Sequence, residues 1–137
     1  MPFTGPVEDR LAIRELLDAY ADAVTQCDAV AWGATWAGDS EWTLLDFPEI
    51  GTVKGRDAIV AMWTEAMKSF PGVVFQAWPG SIAIKGERAV VRSYTSEVYD
   101  QAGVTKRDRG AYDDVCVRVD GRWVFESRAF RYLHRQG

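Results

Sequence analysis

Apolar positions recur with two different periods in this chain, and the change falls close to residue 72. In the first half the period is helical. Ile13, Leu16, Leu17, Tyr20 and Val24 stand at i, i+3, i+4, i+7 and i+11, one narrow face of a helix with Tyr20 near its centre. Pro6 suits the first helical position, and Glu8 and Asp9 suit the positive end of the helix dipole. Asp18 and Asp22 fall on the opposite, solvated side. Asp28 is placed to cap a short second helix from Ala29 to about Trp36, with Trp32 and Trp36 on one core-facing side. Ser40 to Asp46 reads as a strand, with Trp42, Leu44 and Asp46 on one face and Glu41, Thr43 and Leu45 on the other. Phe47 to Gly55 is a loop or short hairpin. A third helix is predicted from about Asp57 to Phe70, with an apolar stripe of Ile59, Met62, Trp63, Ala66, Met67 and Phe70 and a stop at Pro71-Gly72.

Beyond that stop the pattern changes to strands. Val73–Trp78, Ser81–Lys85, Arg88–Tyr99, Val104–Val119 and Arg122–Tyr132 are separated by Pro79-Gly80, Gly86-Glu87, Ala102-Gly103 and Asp120-Gly121. Asp-Gly is a strong signal for a two-residue hairpin turn. Helices followed by a long antiparallel meander define an α+β domain, with the helices packed on one face of a curved sheet. Without repeats, low-complexity segments or linkers, residues 1–137 form a single domain.

Composition narrows the chemistry. Hydrophobic residues make up 47% and charged residues 26%, as in ordinary globular proteins. Six Trp, six Phe and five Tyr can line an apolar pocket as well as fill a core. A net charge of −4 argues against a nucleic-acid partner, and Lys106-Arg107-Asp108-Arg109 reads as a solvated hairpin flank. No apolar run reaches the roughly 20 residues of a membrane span, and no secretory signal opens the chain, so a cytoplasmic location is expected. Cys27 and Cys116 are too few for a disulfide framework, and the single histidine, His134, leaves little basis for a metal site or a Ser-His or Cys-His pair. There is no phosphate-cradling motif. No cofactor and no metal are expected, and the chemistry left is acid–base.

Two polar groups stand out within apolar surroundings: the Tyr20 phenol on its helix and the Asp46 carboxylate at the end of its strand. Entering one cavity, they would form a proton-transfer pair. Otherwise they are a core tyrosine with a satisfied hydroxyl and an aspartate capping a turn.

Ile13-x-x-Leu16-x-x-x-Tyr20, Asp28 with Trp32, the run from Trp36 to Trp42, Gly55-Arg56-Asp57-Ala58-Ile59, Gly110-Ala111-Tyr112 and Asp120-Gly121-x-Trp123 occur in that order. With them the chain, from Asp9 to about Tyr132, resembles the nuclear transport factor 2-like superfamily and its SnoaL-like group. The resemblance implies a cone (a cystatin-like α+β roll), an apolar cavity open at one end, and a homodimer built on the outer sheet face. Its members include scytalone dehydratase, a hexachlorocyclohexane dehydrochlorinase, ketosteroid isomerase and polyketide cyclases, alongside members without activity. The dehydratase and dehydrochlorinase pair an aspartate with a histidine. Here those positions hold Thr25 and Phe75. The isomerase pattern instead places its oxyanion donor on Tyr20 and its general base on Asp46. Its second donor, a protonated acid, falls on Asp113, with Asp114 or Val115 as neighbouring registers.

Arg128 corresponds to a cavity arginine of the dehydrochlorinase; the alternative for it is a surface salt bridge with Glu126 or Glu97. Tyr94 and Tyr112 either reach the cavity or pack as ordinary strand residues. With Thr25, Trp42, Trp63, Phe75 and Arg128 they make up the expected substrate-binding set, and Tyr20, Asp46 and Asp113 the catalytic set.

The resulting expectation is an isomerase, lyase or cyclase acting without a cofactor on a compact hydrophobic carbonyl or hydroxyl compound. The alternatives are a non-catalytic binder of hydrophobic ligands, which Thr25 and Phe75 favour as a disabled dyad, and a structural subunit like the β chain of ring dioxygenases. Apolar residues on both faces of the meander, including Val115/Val117 and Trp123/Phe125 against Val124/Phe130, predict a sheet face covered by a second copy.

Overall fold

The computed structural model describes residues 1–136. In chain order the elements are β1 (Phe3–Thr4), α1 (Val7–Gln26), α2 (Ala29–Gly33), β2 (Trp36–Leu44), β3 (Thr52–Lys54), α3 (Arg56–Ala66) with a 3-10 turn at Met67–Ser69, β4 (Val74–Lys85), β5 (Arg88–Gln101), β6 (Val104–Val119) and β7 (Arg122–Arg135). The strands form one curved, unclosed sheet in the order β1-β4-β5-β6-β7-β2-β3. The helices lie in its concave side, α1 across β4 and α3 against β2. This is the α+β domain expected from the two periodicities, in the roll form that the resemblance implies.

The α1 stripe is buried as its spacing predicts: Ile13, Leu16, Leu17, Tyr20 and Val24 all face the core, while Asp18 and Asp22 are exposed. Pro6 lies one position earlier than expected, as the N-cap. The Asp28 side chain accepts a hydrogen bond from Ala31 N and starts α2. That helix ends at Gly33 rather than near Trp36. Thr35 Oγ1 donates to Trp32 O, and Trp36 already pairs with Phe125 of β7 as the first residue of β2. Trp32 and Trp36 are fully buried, and Trp32 stacks on Trp63 at 4.5 Å.

The meander is tighter than its turn signals imply. Val73–Trp78 and Ser81–Lys85 belong to one strand, β4, whose register against β5 shifts between Pro79 and Ser81. The Asp120-Gly121 turn has φ of 51° and 77°, the paired left-handed conformation of a two-residue hairpin.

Two irregularities on β7 decide which side chains face inward. Cys116 pairs with Phe125 while Val115 pairs with Ser127, so Glu126 is an extra, bulged residue. Likewise Gly110 pairs with Tyr132 and Arg109 with His134, which leaves Leu133 unpaired. Each bulge shifts the alternation by one. Trp123 and Phe125 point into the core, and beyond the first bulge so do Arg128, Phe130 and Tyr132. Phe130, which strict alternation sets on the face opposite Trp123 and Phe125, therefore lines the cavity on their side. Gly110 makes room for it, since a Cβ there would collide with the Phe130 ring.

Candidate active site

The cone encloses a cavity of about 710 Å³, within the range that accepts a compact organic molecule. Tyr20 and Val24 of α1, Trp42 and Leu44 of β2, Met62 and Trp63 of α3, Phe75 of β4, Tyr99 of β5, Tyr112 of β6 and Phe130 and Tyr132 of β7 supply its walls. Charged groups, Glu97, Lys106 and Arg135 among them, complete the lining.

The inner end is a cluster of phenols and an indole. The hydroxyls of Tyr20 and Tyr112 lie 3.3 Å apart, and Trp42 Nε1 donates to the Tyr112 oxygen at 3.2 Å. Two hydroxyls carry two protons, and one hydrogen bond between them uses one. The remaining proton is free for a ligand acceptor. Burial raises the pKa of Tyr20, with Arg128 pulling it back, and burial raises that of Tyr112 further. Both phenols are therefore neutral donors at physiological pH.

Behind the rings lies Arg128, fully buried and paired with Asp114: Nε to Oδ1 is 2.7 Å, and Nη2 reaches Ser93 Oγ at 3.0 Å. Ser93 Oγ in turn donates to Asp114 Oδ2 at 2.8 Å. The guanidinium carbon sits 3.6 Å from the Tyr112 ring centroid, 4.1 Å from Phe125 and 4.4 Å from Tyr20. Nη1 has no oxygen partner among the described residues, and these ring faces take its place. Burial works against the charge on Arg128, but Asp114 and the two phenols outweigh it and hold it above its ordinary pKa. Burial likewise raises the Asp114 carboxyl, opposed by Arg128 and Ser93.

Several expected residues lie elsewhere. Asp46 is exposed, because β2 ends at Leu44 and the chain turns outward. Its Oδ2 accepts from Tyr132 N at 2.6 Å, so it ties the β2 turn to β7 and does not line the cavity. Asp113 is exposed too. The inward residue is its neighbour Asp114, whose carboxylate serves as the partner of Arg128 rather than as a second oxyanion donor. Arg128 is neither a cavity-wall group nor a surface ion pair, since Tyr112 covers it and Glu126 pairs with Arg88. Tyr94 faces away from the cavity, against Trp78 and under Gly80. Thr25 and Phe75 do adjoin each other, Phe75 N donating to Thr25 Oγ1 at 2.9 Å, but only Phe75 lines the cavity. Tyr20, Trp42, Trp63, Phe75 and Tyr112 line the cavity.

The residues missed lie around Glu97. Asp108, read as part of a solvated flank, is buried, accepting from Tyr99 Oη at 2.8 Å and Gln136 N at 3.0 Å. Glu97 pairs directly opposite it across β5 and β6. Burial and Asp108, opposed by Arg135, push the Glu97 carboxyl up to about 7. The available signal was strand parity, since Glu97 shares a face with the buried Ser93, Thr95 and Tyr99.

An α+β roll with an aromatic cavity under its helices is the architecture of the nuclear transport factor 2-like proteins. Within them, the SnoaL-like domain matches residues 6–129, and the chain belongs to that family. Among solved structures it is similar to an NTF2-like protein with a cystatin-like fold from Novosphingobium aromaticivorans, at 25% identity over 96% of this chain and 86% of that one, TM-score 0.79. A candidate scytalone dehydratase from the same organism shares 22% identity over 95% and 87%, TM-score 0.78. A type 2 hexachlorocyclohexane dehydrochlorinase shares 16% over 95% and 88%, TM-score 0.78. No curated protein sequence matches the chain. No helix among the described residues is long and apolar enough to cross a membrane.

Proposed function

We propose that this protein is an acid–base enzyme of the isomerase, lyase or cyclase type, acting in its aromatic cavity on a compact hydrophobic carbonyl or hydroxyl compound. The observation that supports this most is the phenol pair at the inner end, with one hydroxyl proton to spare beside a buried guanidinium. A carbonyl oxygen reaching that end would accept the free proton's hydrogen bond. As a proton leaves the adjacent carbon, charge grows on this oxygen, and the donor bond strengthens in water-excluded surroundings. Removing one such preorganised donor typically costs about a hundred- to a thousand-fold in rate. Arg128 supports the same change from behind the rings, because a fixed positive charge favours electron density moving onto the phenol cluster.

Phenols of graded acidity serve as stand-ins for the enolate. Wild-type affinity at fixed pH should rise as the phenol becomes more acidic. Tyr20→Phe and Tyr112→Phe should flatten that dependence and weaken binding about ten-fold or more. Identical slopes in all three proteins would remove the oxyanion role.

One observation favours a binding role without catalysis. Thr25 and Phe75 are hydrogen-bonded to each other and leave no proton-transfer dyad at their positions. A saturable ligand that undergoes no proton exchange would favour that alternative. We also propose a cytoplasmic homodimer packed through the outer sheet face, where Val74, Trp78 and Val90 stay exposed. Light scattering at micromolar concentration should give twice the chain mass, and a monomer stable on dilution would refute it.

A further inference from the structure

We infer that Glu97 is the proton-transferring residue of this cavity, taking a proton from the bound substrate and returning it. This rests on the acid–base reading above and supplies the base that Asp46, tied to the Tyr132 backbone outside the cavity, cannot supply.

The geometry carries the assignment. Glu97 lines the cavity, and no described residue hydrogen-bonds its carboxyl. The neighbouring acid is different: both carboxylate oxygens of Asp108 accept bonds, from Tyr99 Oη and Gln136 N. The Glu97 carboxyl is half-buried and its oxygens are uncommitted to the protein, so they are open to the C–H or O–H of a molecule in the cavity. Its position relative to the phenols is also set by the strands. Glu97 stands opposite Phe75 on β4, whose ring lies 5.9 Å from that of Tyr20. It also stands opposite Asp108 on β6, four residues before Tyr112, or about 13 Å along the strand. Two side chains reaching inward from those ends leave room for one compact ring system between a carboxylate and a phenol.

The charged and titratable groups facing Glu97 come from every neighbouring element. Asp108 and Lys106 are on β6, Tyr99 is on β5 itself, and Tyr132 and Arg135 are on β7. Asp108 opposes ionisation and Arg135 favours it, which together with burial leaves the carboxyl near neutrality. A carboxyl whose pKa lies near the operating pH is available both as a base and, once protonated, as an acid.

The step balances without a co-reactant. The Glu97 carboxylate takes the proton from a carbon beside a carbonyl, so a C–H bond breaks and an O–H bond forms on Glu97. The released electron pair moves onto the carbonyl oxygen, which the free phenol proton holds. In a β,γ-unsaturated ketone, Glu97 returns the proton to the γ-carbon of the dienolate, which completes a double-bond shift and restores the carboxylate. In a β-hydroxy ketone, Glu97 gives the proton to the β-hydroxyl as its C–O bond breaks, so water leaves, the enolate electron pair forms the C=C bond, and the carboxylate is restored.

Two measurements test this. In the ligand-free protein, the carboxyl carbons of ¹³C-labelled glutamate are titrated by NMR, with Glu97 assigned by its absence in Glu97→Gln. A Glu97 midpoint near 7 is expected, and an ordinary midpoint near 4.5 would overturn the proposal. In D₂O, exchange of the α-protons of 2-tetralone is then followed with wild type, Glu97→Gln and Tyr20→Phe. The wild-type rate should rise through the Glu97 midpoint. Glu97→Gln should lose about a hundred-fold or more and lose that pH dependence. Exchange unchanged in Glu97→Gln but lost in Tyr20→Phe would refute Glu97 as the base while leaving the phenol site standing. Binding of 2-tetralone without exchange in wild type would refute both.

Discussion

The inner and outer ends of this cavity solve the same electrostatic problem in opposite ways. At the inner end, Arg128 is fully buried, but Asp114, Ser93 and three ring faces surround it. Its charge is permanent and does no proton chemistry. Near Glu97, burial is less complete and the carboxyl has no bonded partner, so its charge is conditional on pH. A paired buried charge holds a structure in one state, whereas an unpaired one near neutrality can change state during a reaction. The two ends lie on the same three strands, and the difference comes from which residues the β7 bulges bring opposite them.

Breaking the paired end should have the largest effect. Arg128→Met leaves Asp114 buried without its partner, and a loss of about 3–5 kcal/mol is expected in chemical denaturation at pH 7. The double variant Arg128→Met, Asp114→Leu should recover most of that loss. Equal instability of the two would show that Arg128 matters for its packing and not its charge.

The unpaired end should respond with the opposite sign. The folded-state pKa of Glu97 is raised from 4.5 to about 7, so between those values the folded chain binds more protons than the unfolded one. Its contribution to stability therefore declines as pH rises through that window. Glu97→Gln should be more stable than wild type by about 1–3 kcal/mol at pH 8, with the gain vanishing below about pH 4. A variant less stable at pH 8 would mean that the carboxylate is held by a partner after all.

The smallest effect is expected at Asp46. Asp46→Asn keeps an oxygen that can accept from Tyr132 N, so thermal denaturation should show a change under about 1 kcal/mol. Exchange activity should persist. Its loss would return Asp46 to the site and weaken the contrast between the two ends.

The α1 and α3 stripes and the antiparallel meander were legible because burial there follows a steady period, whereas the pairing of β2 with β7 and of β1 with β4 was not. Tyr20 could be placed from the α1 stripe, and Trp63 from that of α3, for this reason. Arg128 and Phe130 could not. Strict alternation puts Arg128 on the face opposite Trp123 and Phe125, and only the extra residue at Glu126 brings it inside. Nothing in the local sequence marks that bulge. Asp46 was misplaced by a different cause, the strand ending two residues earlier than its alternation continued. Asp108 was hidden by its basic neighbours, although its parity on β6 matches that of Tyr112 and Asp114. Residue type gave the chemistry available, and register determined which residues could take part.

The most direct test of the account is a crystal structure with 2-naphthol, a planar mimic of the enolate. Its oxygen should lie within about 2.6–3.2 Å of the Tyr20 or Tyr112 hydroxyl, with the ring carbons beside that oxygen turned toward Glu97. An oxygen directed to the mouth, with the phenol pair contacting only ring carbon, would contradict the account.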